Sequence, residues 1–451
     1  MKKQNQNMIT GPLFVNIVLY IIPVILTSVL QLLFNAADLV VVGRFCGSVS
    51  VAAVGATTSI TNLLVNFFVG LSVGAGVTVA HGLGSQRASV VHNTVHTALP
   101  VALVSGVFLT LVGVFFSETF LRLMGTPENV LGLAAVYMKI YFGGITFTMV
   151  YNFCSAILRA AGDTKSPLIF LSFAGVVNVV LNLVFVIKLH MNVAGVALAT
   201  TISQGISAIL VVIALMRRTD ACRLQLRKMR FHKVQLTKML RIGLPAGIQS
   251  ALFSISNVLI QSSVNSFGDV LMSGNAAAAN IEGFIYASIN AFHQTAVNFI
   301  GQNAGARQYK RVHKTLIYCL ICAAVTGLAL GSLAYGFGPQ LLSLYITDSA
   351  EAIGFGLLRL GIVGATYLLC GLMDVTTGAL RGLGESFTPM LLSILGVCGI
   401  RIGWIYTIFQ MEAFHTPQSL YISYPVSWTV TFLCQLAAFL NYYRKYQREE
   451  L

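Results

Sequence analysis

Twelve apolar runs, each long enough to cross a membrane, divide this chain and leave few folds open to it. They lie roughly at 14–42, 51–79, 93–116, 133–158, 167–188, 193–216, 239–265, 271–300, 316–338, 354–380, 388–409 and 419–442. A helix needs about 20 predominantly apolar residues to span the hydrocarbon, where its backbone polar groups must pair within the segment. The longest runs exceed the roughly 30 Å core, so tilt or extension past the membrane surface is expected. Charge excludes a soluble fold. Only 9% of the 451 residues are charged, 56% are hydrophobic, and the mean hydropathy is +0.80. Soluble domains carry about 25% charged residues. The expected class is an all-α integral membrane protein with twelve transmembrane helices.

The net charge of +14 does not point to nucleic acid, because the basic residues sit in short connections between apolar runs. With the N-terminus inside, 22 of the 28 Lys and Arg residues fall on the inner side. They include Lys2, Lys3, nine in Arg217–Arg241 and four in Arg307–Lys314. The positive-inside rule then makes both termini of this multi-pass protein cytoplasmic, with the cell inner (plasma) membrane as its place. No cleavable leader is expected, since the run after Lys3 is too long and no small-residue cleavage site follows. Cys319 and Cys322 form a C-x-x-C. There is no second pair or nearby histidine cluster, so they read as apolar fillers rather than redox or metal ligands.

The chain also repeats itself. "LRAAGDTKSP" (Leu158–Pro167) matches "LRGLGESFTP" (Leu380–Pro389), and "GSQRASVVHNT" (Gly84–Thr94) matches "GARQYKRVHKT" (Gly305–Thr315). Each of these segments reads as a span end, a turn and the start of the next helix, with structural rather than catalytic duty. Six runs separate the copies, an even number, so both halves enter the membrane in the same sense. The expected architecture is two six-helix bundles related by a pseudo-two-fold along the membrane normal, a geometry suited to alternating access. Its parts are an N-lobe at 1–216, a basic cytoplasmic linker at 217–238 and a C-lobe at 239–451. The linker is expected to lie on the membrane surface, partly as an amphipathic helix.

Ionisable residues at bilayer depth are costly, at about 2.5–3.5 kcal/mol each on insertion scales, and tend to be functional. The candidates are Asp38, Lys139, Glu282, Arg359, Asp374 and Arg401. Gln31, Asn35 and Asp38 are spaced to share one helix face. Asn178 and Asn182 share a face of the fifth run. A carboxylate with amide oxygens can take a proton or a small hard cation. The competing reading is a hydrated, idle Asp38 near a helix end. In the second half, Asn257 stands opposite Asp38, within the uncharged stripe Ser250, Ser254, Asn257 and Gln261. The acids there are Glu282 and Asp374; Asp374 falls opposite Asn152. Glu282, Tyr286 and His293 share a face of the eighth run. Arg359 and Arg401 could neutralise these acids as structural ion pairs. Tyr137, Tyr141, Tyr151, Tyr286 and Phe292 either pack or line a cavity for flat or cationic ligands.

The segments "GPLFVNIVLYIIPVILTSVLQLLFNAADLVVVGRFCG", "ILRAAGDTKSP", "GLPAGIQSALFSISNVLIQ", "AANIEGFIYASINAF" and "GALRGLGESFTP" together resemble the multidrug and toxic compound extrusion (MATE) family, over about residues 10–440. The chain is more similar to its DinF-like branch than to its NorM-like one. The resemblance implies a twelve-helix, two-lobe exporter of drugs and organic cations, driven by inward proton or sodium flow. It implies that Asp38 belongs to an N-lobe cation-coupling site with Asn178. Where the family commonly has a second Asp on the fifth helix, this chain has Asn182, which leaves Asp38 as the lobe's main proton acceptor. The acidic residue that the NorM-like branch carries on the seventh helix has no counterpart in Gly243–Asn265, and Asp374 lies about one turn from that branch's tenth-helix acid. No C-lobe sodium site is therefore carried over.

The expectation is thus a secondary antiporter, not an enzyme. Cation coupling is assigned to Asp38, Asn35, Asn178, Asn182 and Gln31. The substrate cleft is assigned to Glu282, Asp374, Asn257, Gln261, Tyr286, His293, Asn152 and Tyr141. No cofactor is expected beyond a proton or sodium gradient, and no resident metal, although sodium could visit Asp38. Expected partners are small amphipathic or cationic molecules and membrane lipid, with no nucleic acid, for a monomeric protein. One rival is a flippase for a lipid-linked precursor, disfavoured by the scarcity of intramembrane Lys and Arg. Another is an intramembrane aspartyl protease using Asp38 and Asp374, disfavoured because "GLGE" carries Glu and recurs as "AAGD". A receptor or channel is a further possibility, but nothing in the chain reads as a selectivity filter.

Overall fold

The computed structural model describes residues 8–347 and 349–448, so Lys2 and Lys3, counted above toward orientation, lie outside it. The first half contains α1 (Leu13–Phe45), α2 (Ser48–Gly84), α3 (Ala88–Leu123), α4 (Glu128–Gly143), α5 (Ile145–Ala160), α6 (Lys165–Leu183) and α7 (Asn192–Met216). The second contains α8 (Lys233–Asn265), α9 (Asp269–Gly305), α10 (Tyr309–Gly336), the short α11 (Gly338–Ser343), α12 (Ala350–Arg359), α13 (Tyr367–Gly382), α14 (Phe387–Ser393), α15 (Ile400–Tyr406) and α16 (Pro417–Arg448). Among the described residues there is no β-strand.

Nine described helices are long and apolar enough to cross a membrane, and eleven if two bent pairs count as one span each. The pair α4 and α5 bends by 45° at Gly144, and the pair built from α12 and α13 bends by 43° after the π-helical turn Leu360–Gly364. A π turn widens the helix and breaks its register, a recognised cause of a kink. The remaining long helix is α9, with 37 residues. It buries Asn275, Glu282, His293, Asn298, Gln302 and Asn303. It packs chiefly against α13, α10 and α12, so these polar groups face protein rather than lipid.

The chain divides into two compact units. Of the described residues, the first holds 22–247 and the second 8–21 and 248–448 without 348. The expected division at a linker of 217–238 therefore differs from the packing, because helices α1 and α8 each change unit beside an internal proline, Pro23 or Pro245. The start of α1 is tied to unit 2 by the Asn298 Nδ2 to Tyr20 Oη bond of 2.8 Å and by Arg311, which donates to the Gly11 and Met8 carbonyls. The first stretch of α8 lies against α2 in unit 1. There Gly70 and Gly74 face Gly243 and Gly247, and a Cβ on Gly74 would sit 2.1 Å from the Met239 carbonyl oxygen. Small residues four apart on both helices permit this backbone contact. In unit 1 the core gathers Val95, Ala98, Met138, Phe142, Met149 and Phe153. In unit 2 it gathers Ile289, Leu360, Val363, Tyr421 and Trp428.

The internal repeat is written in the backbone as well. Positive φ recurs at Gly47 and Gly268, at Gln86 and Arg307, and at Gly162 and Gly384. In the first copy of the Leu-Arg turn, Asp163 caps α6 by accepting from the Ser166 amide at 3.0 Å and its hydroxyl at 2.7 Å. The structural reading of these segments fits this geometry. Helix-end spacing also revises one alignment. Pro23 and Pro245 are 222 residues apart, and Gly47 and Gly268 are 221 apart. Without a gap this puts Asn257 opposite Asn35 or its neighbour, and an aliphatic residue, Leu259 or Ile260, opposite Asp38.

The connection from α7 to α8 is no amphipathic helix. It runs through turns and irregular backbone, with one 3-10 turn at Leu226–Lys228, before α8 begins at Lys233. Arg218 is buried, bonds to Asp220 and lies 3.8 Å from Asp163. Burial works against the Arg218 charge, and the Asp220 carboxylate outweighs it, holding the guanidinium above its usual value. His96 on α3 accepts the Gln225 amide at 3.0 Å and offers its carbonyl to the Arg230 amide at 3.3 Å.

Candidate functional site

Unit 1 builds one polar cluster from three helices. Gly175 sets its geometry: a Cβ there would fall 1.9 Å from the Phe34 ring, so only glycine lets α6 approach α1 this closely. One turn onward on each helix come Asn178 and Asp38. Asn182 Nδ2 donates to Asp38 Oδ1 at 2.5 Å, and Thr200 Oγ1 on α7 donates to Asp38 Oδ2 at 3.0 Å. Asn178 Nδ2 donates to Thr200 Oγ1 at 3.3 Å, while its Oδ1 accepts from Asn182 at 3.2 Å. Asn178 and Asn182 are buried, and among the described residues the Asn182 Oδ1 atom has no donor. Among the described residues no ion pair involves Asp38. A carboxylate surrounded only by neutral groups has its charge uncompensated within the protein. One proton or one monovalent cation would balance it, and the oxygens present are hard donors.

The structure joins Asp38, Asn178 and Asn182, as expected from the sequence, and adds Thr200, which sequence reasoning missed. Gln31 and Asn35 are exposed and stand apart from this network. Tyr141 stacks on Tyr137, with ring centroids 6.3 Å apart and planes 13° from parallel. Asn152 turns its amide back to the Thr148 carbonyl at 2.8 Å. The Tyr151 hydroxyl donates to the Pro167 carbonyl, a packing role.

Unit 2 separates the polar residues that sequence spacing put on one face. Glu282 is held bidentately by Arg359, at 3.0 Å and 2.7 Å, in a buried ion pair. Arg359 also donates to Asn275, whose amide donates to Gln261 at 3.2 Å, and it lies over the Tyr421 and Tyr424 rings. Among the described residues Arg401 has no carboxylate partner; it lies 4.0 Å from the Tyr424 ring centroid and bonds Ser427. About three turns away along α9, His293 Nδ1 bonds the Asp374 carbonyl at 2.7 Å, and Arg381 reaches His293 and Gln249. Asp374 is buried, and among the described residues its Oδ2 atom has no hydrogen-bond partner. Tyr286 and Asn257 are exposed, and Phe292 is buried. Among the described residues no group of three or more His, Cys, Asp or Glu could hold a metal ion, and all eight cysteines are free.

The family model MatE matches residues 23–184 and 245–407, two copies beginning 222 residues apart. The chain is 26% identical to the "Probable multidrug resistance protein YoeA" of Bacillus subtilis, over 92% of this chain and 91% of that one. It is 28% identical to the "Probable multidrug resistance protein YpnP" of the same organism, over 87% of each chain. A solved structure described as the outward-facing conformation of a multidrug resistance MATE family transporter superposes with a TM-score of 0.92 at 22% identity, covering 99% of this chain and all of the other. That likeness shows the fold: twelve transmembrane helices in two bundles. The chain is a transporter and not an enzyme, which sets the protease reading aside. With the family model spanning most of both halves, the chain belongs to the multidrug and toxic compound extrusion family.

Proposed function

We propose that the chain exports small amphipathic or cationic organic molecules from the cell, antiporting them against an inward proton or sodium gradient by alternating access. The observation that carries this reading is the Asp38 carboxylate, bonded only by neutral groups of α6 and α7. Taking a proton removes its charge and turns one oxygen from acceptor into donor. The bonds from Asn182 and Thr200 then lose their charge assistance, and one of them must reverse its donor or yield, so one chemical event reaches three helices. With Asn182 in place of a second acid, the site offers one negative charge rather than two to hold a bare cation, which favours the proton as coupling ion. The relatives named as multidrug resistance proteins support the substrate class.

In this reading the functional lobes are 1–216 and 239–451, joined by the connection 217–238, in a monomer whose termini are both cytoplasmic at the plasma membrane. Asp374, with Tyr286, His293 and Asn257, is assigned to substrate attraction in the C-lobe, and Tyr141 and Asn152 to the N-lobe wall. Glu282 already has its counter-ion in Arg359 and acts by holding α9 to α12. The experiment is substrate efflux from proteoliposomes under a proton gradient, a sodium gradient or neither, for the native chain and Asp38→Asn. Gradient-driven efflux is expected to vanish in the variant. Efflux of equal rate in both would remove Asp38 from coupling.

A further inference from the structure

We propose that the connection between α7 and α8 is a docking platform for anionic phospholipid headgroups. It joins the ends of two spans, so it lies at a membrane surface by construction. It is also held in place. Besides the Arg218 clasp with Asp220 and Asp163, its backbone is pinned at three points on unit 1. The Leu224 amide bonds the Leu215 carbonyl at 3.1 Å, the Gln225 amide bonds His96 at 3.0 Å, and the His232 amide bonds Thr97 at 3.2 Å.

The anchoring uses backbone amides, the Arg218–Asp220 pair and the buried side chains of Cys222 and Leu224. It leaves Arg217, Arg223, Arg227, Lys228, Arg230 and Lys233 exposed. Among the described residues none of these six is in an ion pair. Among them and directly after Lys233 stand three exposed apolar side chains, Leu226 at 46%, Phe231 at 53% and Val234 at 62%.

Membrane topology calls for the positive charge alone and gives no reason to expose a phenylalanine among the bases. A nucleic acid or a free phosphate would satisfy the charge and leave the apolar groups in water. An anionic lipid surface satisfies both: bases meet phosphates while the apolar side chains enter the boundary with the acyl chains. Lipid is therefore the occupant that accounts for the whole pattern.

The test is the melting temperature of the purified full chain in phosphatidylcholine nanodiscs, with and without phosphatidylglycerol. The native chain is expected to melt several degrees higher with phosphatidylglycerol, and the increment should shrink in high salt. R223Q/R227Q/K228Q/R230Q is expected to lose most of the increment and L226S/F231S/V234S part of it. R227Q/K228Q, which changes two exposed side chains alone, should lose an intermediate share. K310Q/K314Q, in the first turns of α10, should keep the increment. An equal increment in the native chain and both linker charge variants would overturn the proposal. So would an increment reproduced in phosphatidylcholine by inorganic phosphate or by a soluble oligonucleotide.

Discussion

Asn182 Nδ2 donates to Asp38 Oδ1 across 2.5 Å and carries its second bond to Asn178 Oδ1 at 3.2 Å. An amide thus stands where a second carboxylate would give the cluster room for a cation between two charges. Two unit charges about 4 Å apart interact by about 4 kcal/mol at an effective dielectric near 20, a repulsion that a bound cation relieves. Asn182→Asp is therefore expected to tighten sodium binding by roughly tenfold or more. The readouts are a sodium-dependent rise in melting temperature and sodium-driven efflux, both expected to be weak in the native chain. The same sodium response from both proteins would sink the idea.

Glu282 and Arg359 are both buried and bonded bidentately. Removing one partner leaves an uncompensated charge, at a cost of about 3–5 kcal/mol, whereas replacing the pair with apolar residues of similar volume is often nearly neutral. Arg359→Met should therefore lower the melting temperature sharply, and Glu282→Leu with Arg359→Met should recover most of the loss. If the double variant also exports substrate at the native rate, Glu282 has no part in substrate binding. A double variant as unstable as Arg359→Met would refute the ion-pair account.

The fold was legible because apolar runs and repeated turns are local signals. "LRAAGDTKSP" announces Gly162 with its positive φ and the Asp163 cap within a few residues. The Asp38 site was partly legible. Asn178 and Asn182 betray a shared face by their spacing, and buried amides need partners. Thr200 gave no comparable signal, since a lone hydroxyl in an apolar helix usually bonds its own backbone, as Thr94 and Thr295 do here. Gln31 and Asn35 show the limit of stripe reasoning. Helical spacing fixes which residues share a face, but the width of the neighbour's contact decides how many of them it reaches. Gly175 carried no readable signal either, because its role is the approach of Phe34 from far along the chain.

Arg218 is buried between two acids that end different elements, Asp163 before α6 and Asp220 after α7. Asp220→Asn removes the stronger partner and weakens a charge-assisted hydrogen bond worth about 2 kcal/mol. The expected result is faster proteolysis between residues 217 and 232, measured on the reconstituted protein, with little change at the far ends of the helices. Cleavage rates unchanged by the substitution would show that the His96 and Thr97 bonds alone hold the connection.

The contact between α2 and α8 makes the sharpest steric prediction. A Cβ on Gly74 would lie 2.1 Å from the Met239 carbonyl oxygen and 2.9 Å from the Gly243 nitrogen, both backbone atoms that cannot swing aside. Gly55, on the same helix, has open space at its Cβ position. Both residues are helical, so Gly→Val changes helix propensity alike at the two sites and differs only in packing. Gly74→Val is expected to cost about 1–3 kcal/mol by overpacking, enough to lower the melting temperature clearly. Gly55→Val should leave it within experimental error of the native chain. Equal melting temperatures for the two variants would mean that α2 and α8 do not meet through their glycines.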